Sequence, residues 1–261
     1  MSSFQTVRFK MWRALVIDIE TRPGTAYVWG TNDQHISVEQ VIEPSSVLCF
    51  SAKWLGEPEV FFYSTKKDGM AGMIRAAHKL LCKADAVIHF NGASFDIPHL
   101  NAEFARMRLA PPPPFKHIDL KTTAQHKFRT LSHKLAFLLP YFKIGEKMKH
   151  EGFELWTKCI AGDREAWATM EKYNRQDTTE TEKFYTFMRP WIERHPNVAL
   201  YSKDDGTRPT CPTCGSEEIA WEGYYYGDVY TYRQFSCKAC GKWSHARMSE
   251  KAVKKPAIKG I

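Results

Sequence analysis

The stretch Leu15-Val16-Ile17-Asp18-Ile19-Glu20-Thr21 constrains the fold more than any other part of the chain. Residues 13–19 read as a strand buried on both faces, which places them inside a sheet covered by helices. That strand nevertheless ends in two carboxylates. Residues i and i+2 of a strand point to the same face, so Asp18 and Glu20 project together. Such a strand belongs where its acidic end opens onto a site.

Two further acidic motifs follow in order, Asn91-Gly92-Ala93-Ser94-Phe95-Asp96 and Tyr173-Asn174-Arg175-Gln176-Asp177. Residues i and i+4 of a helix share a face, so Tyr173 and Asp177 also project together. The three motifs offer four carboxylates, Asp18, Glu20, Asp96 and Asp177, and one phenol, Tyr173. Hard cations such as Mg²⁺ and Mn²⁺ prefer oxygen ligands. Two of them, roughly 3.5–4 Å apart, can hold a scissile phosphate, lower the pKa of a water and stabilise the leaving oxygen. The chemistry matched by these residue types is therefore two-metal hydrolysis of a phosphodiester, with Tyr173 orienting or helping to deprotonate the attacking water. Any one of the motifs alone would be an ordinary surface carboxylate or a packed aromatic; the ordered set carries the reading.

The set resembles the DEDD family of 3′–5′ exonucleases in the ribonuclease H-like superfamily. Asp18 and Glu20 match its first motif, Asp96 its second and Asp177 its third. Tyr173 lies four residues before Asp177, and Lys172 occupies the place of the histidine that marks the other branch, so the chain is similar to the tyrosine branch found in polymerase proofreading domains. The resemblance covers roughly residues 10–195. The stretches 149–156 and 29–34 are similar to a phage and prophage subgroup. The resemblance implies a metal-dependent 3′–5′ exonuclease that releases nucleoside 5′-monophosphates, with single-stranded DNA the expected substrate. An RNA exonuclease, a structure-specific endonuclease of the same fold and a noncatalytic nucleic-acid-binding adaptor are the alternatives.

The remaining pattern is α/β. Strands are expected at 46–54 and 59–63, joined by the turn signal Gly56-Glu57-Pro58. Met70, Met73, Ile74, Ala77, Leu80 and Leu81 have helical spacing and predict an amphipathic helix over 69–82. Residues 86–90 read as a short strand leading into the second motif, which opens a helix through Leu100 and Phe104. A polyproline turn at 111–114, a strand at 115–120, a helix at 134–142 and a long helix beginning near the N-cap Asp163 complete the series. The order predicts a ribonuclease H-like mixed sheet with helices on both faces over residues 1–197.

A polar, turn-rich stretch near 195–206 precedes a second domain, expected at 207–248. It contains Cys211-Pro-Thr-Cys214-Gly215 and Cys237-Lys-Ala-Cys240-Gly241, two Cys-x-x-Cys knuckles with 22 residues between Cys214 and Cys237. Four thiolates suit one tetrahedral, structural Zn²⁺, and the spacing resembles a zinc ribbon with strands at 219–226 and 229–235. A disulfide pair is the alternative, which a cytoplasmic setting disfavours. Cys49, Cys82 and Cys159 read as small buried hydrophobes.

The net charge of +8 fits an anionic partner such as nucleic acid. Expected contacts are Asn91 and Phe95 in the second motif, Lys147, Lys149 and His150 before Trp156, and Arg233 and Lys242 among the ribbon's aromatics, where rings can stack on unpaired bases. A second basic cluster holds Lys121, His126, Lys127, Arg129, His133 and Lys134. From Lys242 to Ile261 six Lys or Arg face one Glu, a basic tail expected to be disordered over 249–261 and to add nonspecific phosphate affinity. No apolar run reaches 18 residues, which argues against a transmembrane helix. The first residues lack the apolar core of a signal peptide. The chain is expected in the cytoplasm, a host's if phage-encoded, with a replication or recombination protein as a further partner.

Overall fold

The computed structural model describes residues 12–33, 35–201 and 208–250. Gln34 of the subgroup resemblance, residues 202–207 of the turn-rich stretch and the basic tail from Lys251 lie outside them. Two compact units are present, Arg13–Tyr185 and a second that joins Trp12 to the described residues from Thr186 onward.

The larger unit contains β1 (Ala14–Arg22), a small two-stranded excursion of β2 (Thr25–Ala26) and β3 (Val41–Glu43), then β4 (Ser46–Trp54), β5 (Phe61–Ser64), α1 (Thr65–Leu81), β6 (Ala86–His89), α2 (Asp96–Arg106), β7 (Lys116–Asp119), α3 (Leu120–Lys127), α4 (Leu135–Tyr141), α5 (Phe153–Ile160) and α6 (Arg164–Met188). Five strands form a mixed sheet in the order β5-β4-β1-β6-β7. β4 runs antiparallel to β1 and β5, while β1, β6 and β7 are parallel. The expected ribonuclease H-like mixed sheet with flanking helices is what the chain forms.

The register explains how carboxylates stand on a buried strand. Residues paired across a sheet share a face. Ile17 pairs with Ala52 and Ile19 with Phe50, whereas Asp18 pairs with Ser51 and Glu20 with Cys49. The first set lies in the core beneath α1 and α2, packed with Met73, Ile74, Ala77, Leu100 and Phe104. Each such side chain, fully buried, contributes about 1.5–3 kcal/mol. The second set faces α6. There Ser51 donates through its hydroxyl to Asn174 O at 2.7 Å, and the Ser51 and Thr178 hydroxyls bond each other. Beside them a second apolar cluster joins Leu48, Cys49 and Phe62 to Leu155, Cys159, Trp167 and Met170. β1 therefore has one apolar face and a second face that is apolar at Ala14 and Val16 and turns acidic at Asp18 and Glu20.

Helix α6 begins as expected at Asp163, whose Oδ1 accepts the Ala166 N–H at 2.8 Å. Helix α1 begins earlier than its apolar periodicity, at the Ser64 N-cap, and breaks at Gly69 (φ +67) before the regular stretch. Three elements of this unit go beyond the sequence reading. α3 is short and polar, and its N-terminus is made by Asp119, which accepts from the Lys121 and Thr122 N–H groups. α5 follows Gly152 (φ +72), a left-handed position. The β2–β3 excursion carries too little apolar alternation to be read as strands.

In the second unit β8 (Ile219–Tyr226), β9 (Thr231–Cys237) and β10 (Trp243–His245) form an antiparallel sheet with β9 in the middle. β10 was not expected. The division between units falls at Thr186, upstream of the turn-rich stretch. Hydrogen bonds account for that position: Val198 N–H donates to Pro212 O at 2.7 Å, and Lys242 Nζ donates to Pro190 O and Ile192 O at 3.1 and 2.8 Å. Residues 190–198 are thus tied to the knuckles. Among the described residues no helix is long and apolar enough to cross a membrane.

Candidate active site

Asp18 and Glu20 from β1 and Asp177 from α6 bring carboxylate oxygens within 4.8 Å of one another. The geometry follows from the register above, which turns Asp18 and Glu20 toward the helix. Asn174, a turn before Thr178 on α6, fixes Asp18 by donating from Nδ2 to its Oδ2 at 2.7 Å and to its backbone oxygen at 3.3 Å. Asn174 lies within the third motif, and its role there is visible only in the fold, where it is fully buried against Asp18.

Asp96 starts α2 and stands beside this group rather than within it. Its Oδ1 accepts the Ile19 N–H at 3.0 Å, a bond that ties the second motif to the first. Gly92 makes the approach possible. A Cβ there would lie 2.6 Å from His89 Cγ and 3.0 Å from Asp96 Oδ2. The His89 ring cannot yield easily: it is fully buried, with Nδ1 3.0 Å from Gly92 N and Nε2 3.0 Å from His117 Nδ1. Asp119 completes the support by accepting from the Asn91 and Ala93 N–H groups at 3.2 and 3.4 Å. Gly92→Ala is expected to cost about 1–3 kcal/mol through this overpacking and to displace Asp96. A thermal unfolding midpoint equal to wild type would contradict it.

Concentrating acids in a buried site raises their pKa values. Burial, then Glu20, Asp96 and Asp177, raise Asp18 well above the ordinary carboxylate range. Burial followed by Asp177 pushes Glu20 up to about 8. Burial raises Asp96 to about 6, with the Ile19 N–H and His89 opposing it. Burial also raises Asp177, against the pull of Lys147. Even with the opposing charge of Lys147, the set binds protons more tightly than free carboxylates do.

Lys147 Nζ lies 2.6 Å from Asp177 Oδ2 and 3.3 Å from the Tyr173 hydroxyl. Asp177 Oδ1 is buried without a hydrogen-bond partner. An acceptor-only group with an open buried lone pair, in an all-oxygen set, fits a hard divalent ion. Tyr173 is 8% exposed, and burial together with Asp177, Glu20 and Asp18 pushes its phenol above the ordinary range. The phenol thus holds its proton more tightly than a free tyrosine does.

The other expected contacts separate. His150 packs edge-on against Tyr173 (4.7 Å between ring centroids) and Trp156 (5.2 Å). Lys149 is exposed. Phe95 is partly exposed beside His99, and Asn91 adopts φ +73 at the loop's turn. Sequence reasoning missed a groove of about 440 Å³ that starts at Glu20 and is lined by Thr21, Pro23, His150, Gly152, Phe153 and Trp156. The groove has an acid at one end and, along its wall, the exposed Phe153 beside the partly buried Trp156 and His150.

In the second unit the four thiols gather, with Cys211 and Cys240 Sγ 3.7 Å apart and Cys214 and Cys237 Sγ 3.6 Å apart. Those separations far exceed a disulfide's length of about 2.05 Å. They match the edge of a tetrahedron with metal–sulfur bonds of about 2.3 Å, which is about 3.8 Å. Gly215 (φ +76) and Gly241 (φ +74) each donate an N–H back to the first cysteine of the knuckle at 2.8 Å. The cluster is compatible with a zinc ribbon. Lys242, one of the expected nucleic-acid contacts, places its ammonium on the carbonyls of Pro190 and Ile192. Arg233 lies over the Trp221 ring at 4.7 Å.

The sequence pattern of the RNase_H superfamily matches residues 39–189, more than half of the chain. The chain belongs to the RNase H superfamily. The matched span contains Asp96, Tyr173 and Asp177 and starts after Asp18 and Glu20. Among solved structures, the family B DNA polymerase from the hyperthermophilic archaeon Pyrobaculum calidifontis is similar, with a TM-score of 0.51 and 15% identity over 69% of this chain and 25% of the polymerase chain. This chain thus corresponds to about a quarter of that polymerase, and the likeness is one of fold. No curated protein matches the chain. Superfamily membership supports a nuclease.

Proposed function

We propose that the chain is a metal-dependent 3′–5′ exonuclease acting on single-stranded DNA. The observation that carries this is the convergence of Asp18, Glu20 and Asp177 within 4.8 Å, with a buried, unpartnered oxygen on Asp177. In this reading Asp18, Glu20, Asp96 and Asp177 hold two Mg²⁺ or Mn²⁺ ions. Bound there, the ions would supply Lewis acidity at the phosphate and an ionised water. Asn174 holds Asp18 in place, and the neutral Tyr173 hydroxyl aligns the water. The groove from Glu20 past Phe153 and Trp156 receives the terminal nucleotide, His150 closing one side. Tyr173 four residues before Asp177, the mark of the tyrosine branch, supports the 3′–5′ direction and nucleoside 5′-monophosphate products. One Zn²⁺ on Cys211, Cys214, Cys237 and Cys240 shapes the ribbon, where Arg233 and the exposed rings of Tyr224, Tyr226 and Trp243 offer strand contacts.

Digestion of 5′-labelled single-stranded DNA with Mg²⁺ or Mn²⁺ tests this, with Asp18→Ala beside wild type. A ladder shortening from the 3′ end in wild type alone is expected. Internal cuts in the first time points would replace the exonuclease reading with an endonuclease one, and cleavage by both proteins would remove Asp18 from the site.

The raised carboxylates give the metal-free protein an unusual pH dependence. A group that binds its proton more tightly in the folded state contributes stability below its unfolded pKa and loses it as pH rises through the folded one. For Glu20 that window runs from 4.5 to about 8. The melting temperature without divalent ions is expected to fall across it, and saturating Mn²⁺ to restore stability at the upper end. A flat profile in both conditions would contradict the electrostatic description.

A further inference from the structure

The segment from Lys143 to Gly152 is a strap laid along α6. Both ends turn at left-handed positions, Lys143 with φ +57 and Gly152 with φ +72. Between them the strap meets the helix turn by turn. Gly145 sits so close to Glu180 that a Cβ would overlap the Glu180 carboxylate. Glu146 O accepts from Gln176 Nε2 at 3.0 Å. Lys147 reaches Asp177 and Tyr173, and His150 packs on the Tyr173 ring. These seats descend α6 from residue 180 to residue 173 and end at the carboxylate set.

The Lys147 ammonium is therefore a counter-ion of the carboxylate set. It takes one oxygen of Asp177, and its charge also acts on Asp18 and Glu20. Its remaining surroundings are the Tyr173 hydroxyl and ring, the ring centroid lying 5.3 Å away. Two cations do not share a small acidic pocket without mutual repulsion.

We propose that Lys147 is a positioning residue that holds the metal-free site in register and gives up Asp177 when divalent ions bind, so that metal loading and the 143–152 strap are coupled. The inference rests on the proposed metal site. Coupling of this kind is reciprocal: whatever weakens the seated strap strengthens metal binding, and metal binding loosens the strap by the same factor. Seating Lys147 thus keeps the four carboxylates together until ions and substrate arrive, and the strap, which borders the groove at His150 and Gly152, carries the change to the substrate wall.

The test is Mn²⁺ titration of the zinc-loaded full chain, followed by calorimetry, with hydrogen exchange of residues 143–152 read in the same samples. Lys147→Met is expected to bind Mn²⁺ at least about fivefold more tightly than wild type. Gly145→Val, remote from every ligand, is expected to shift affinity in the same direction by unseating the strap. In wild type, Mn²⁺ is expected to speed exchange in the strap; in Lys147→Met the strap exchanges fast with or without Mn²⁺. Unchanged or weaker Mn²⁺ binding by Lys147→Met would overturn the proposal. So would tighter binding with no change in wild-type strap exchange, which would reduce Lys147 to a background charge. If Mn²⁺ binds equally to wild type and Asp177→Asn, the metal-site reading itself fails, and this inference falls with it.

Discussion

Asp177→Asn is expected to reduce hydrolysis to below about one per cent of wild type, because two-metal catalysis depends on the geometry of the ligand carboxylates. The substitution keeps the shape of the side chain. It replaces one acceptor oxygen by a donor in the middle of an acceptor set, and it removes both the charge that holds Lys147 and the buried oxygen left without a partner. Strand affinity is expected to stay near wild type, since the groove walls Phe153 and Trp156 are untouched. Metal-free stability registers two opposing changes, one repelling acid fewer and Lys147 left without its carboxylate partner. Initial rates on 5′-labelled DNA, a binding isotherm and a melting curve read these out together. Residual activity clearly above about one per cent would contradict the ligand role assigned to Asp177.

Zinc removal is expected to unfold the ribbon. Among described residues from Arg208 onward, Phe235 is the only buried side chain of a large hydrophobic residue; the others are Cys211, Cys237 and Thr213. Burying one Phe contributes about 1.5–3 kcal/mol. Structural zinc sites in small domains contribute about 10–16 kcal/mol of apparent binding energy at neutral pH. A zinc ion held there would outweigh the core severalfold, and the three-stranded sheet would have no reserve without it. Cys237→Ser, or wild type after chelation, should lose the dispersed amide resonances of residues 208–250, while those of the five-stranded sheet persist on their own core. Zinc content should drop from one ion per chain to none. A ribbon that keeps its dispersion in Cys237→Ser with chelator would contradict the account.

The catalytic side of the fold was legible because strand and helix periodicities act over short range. The i, i+2 spacing of Asp18 and Glu20 and the i, i+4 spacing of Tyr173 and Asp177 needed only local geometry, and both pairs stand on the elements expected. The position of Asp96 beside the other three, with Ile19 N–H bonded to it, is a contact over 77 residues that no local pattern encodes. Elements α3 and α5 escaped for physical reasons. The first is polar and is started by a carboxylate that also serves the 91–93 loop; the second begins at a left-handed glycine and buries only Leu155 and Cys159. Lys147 and Lys242 show the same limit at single residues. As sequence, both read as cations free for phosphate. In the fold one neutralises carboxylates and the other caps carbonyls, because a flexible ammonium takes the nearest unsatisfied oxygen. The seat of His89 against Gly92, which the site depends on, leaves no signature in composition.

The most direct test of the central claim is diffraction from crystals of the full chain soaked with Mn²⁺ and a deoxynucleoside monophosphate, recorded at the manganese absorption edge. The account requires two anomalous peaks roughly 3.5–4 Å apart, ligated by Asp18, Glu20, Asp96 and Asp177, with the nucleotide's phosphate against them and its base in the groove beside Phe153. Full occupancy of Lys147 on Asp177 with no manganese at the carboxylates would contradict it.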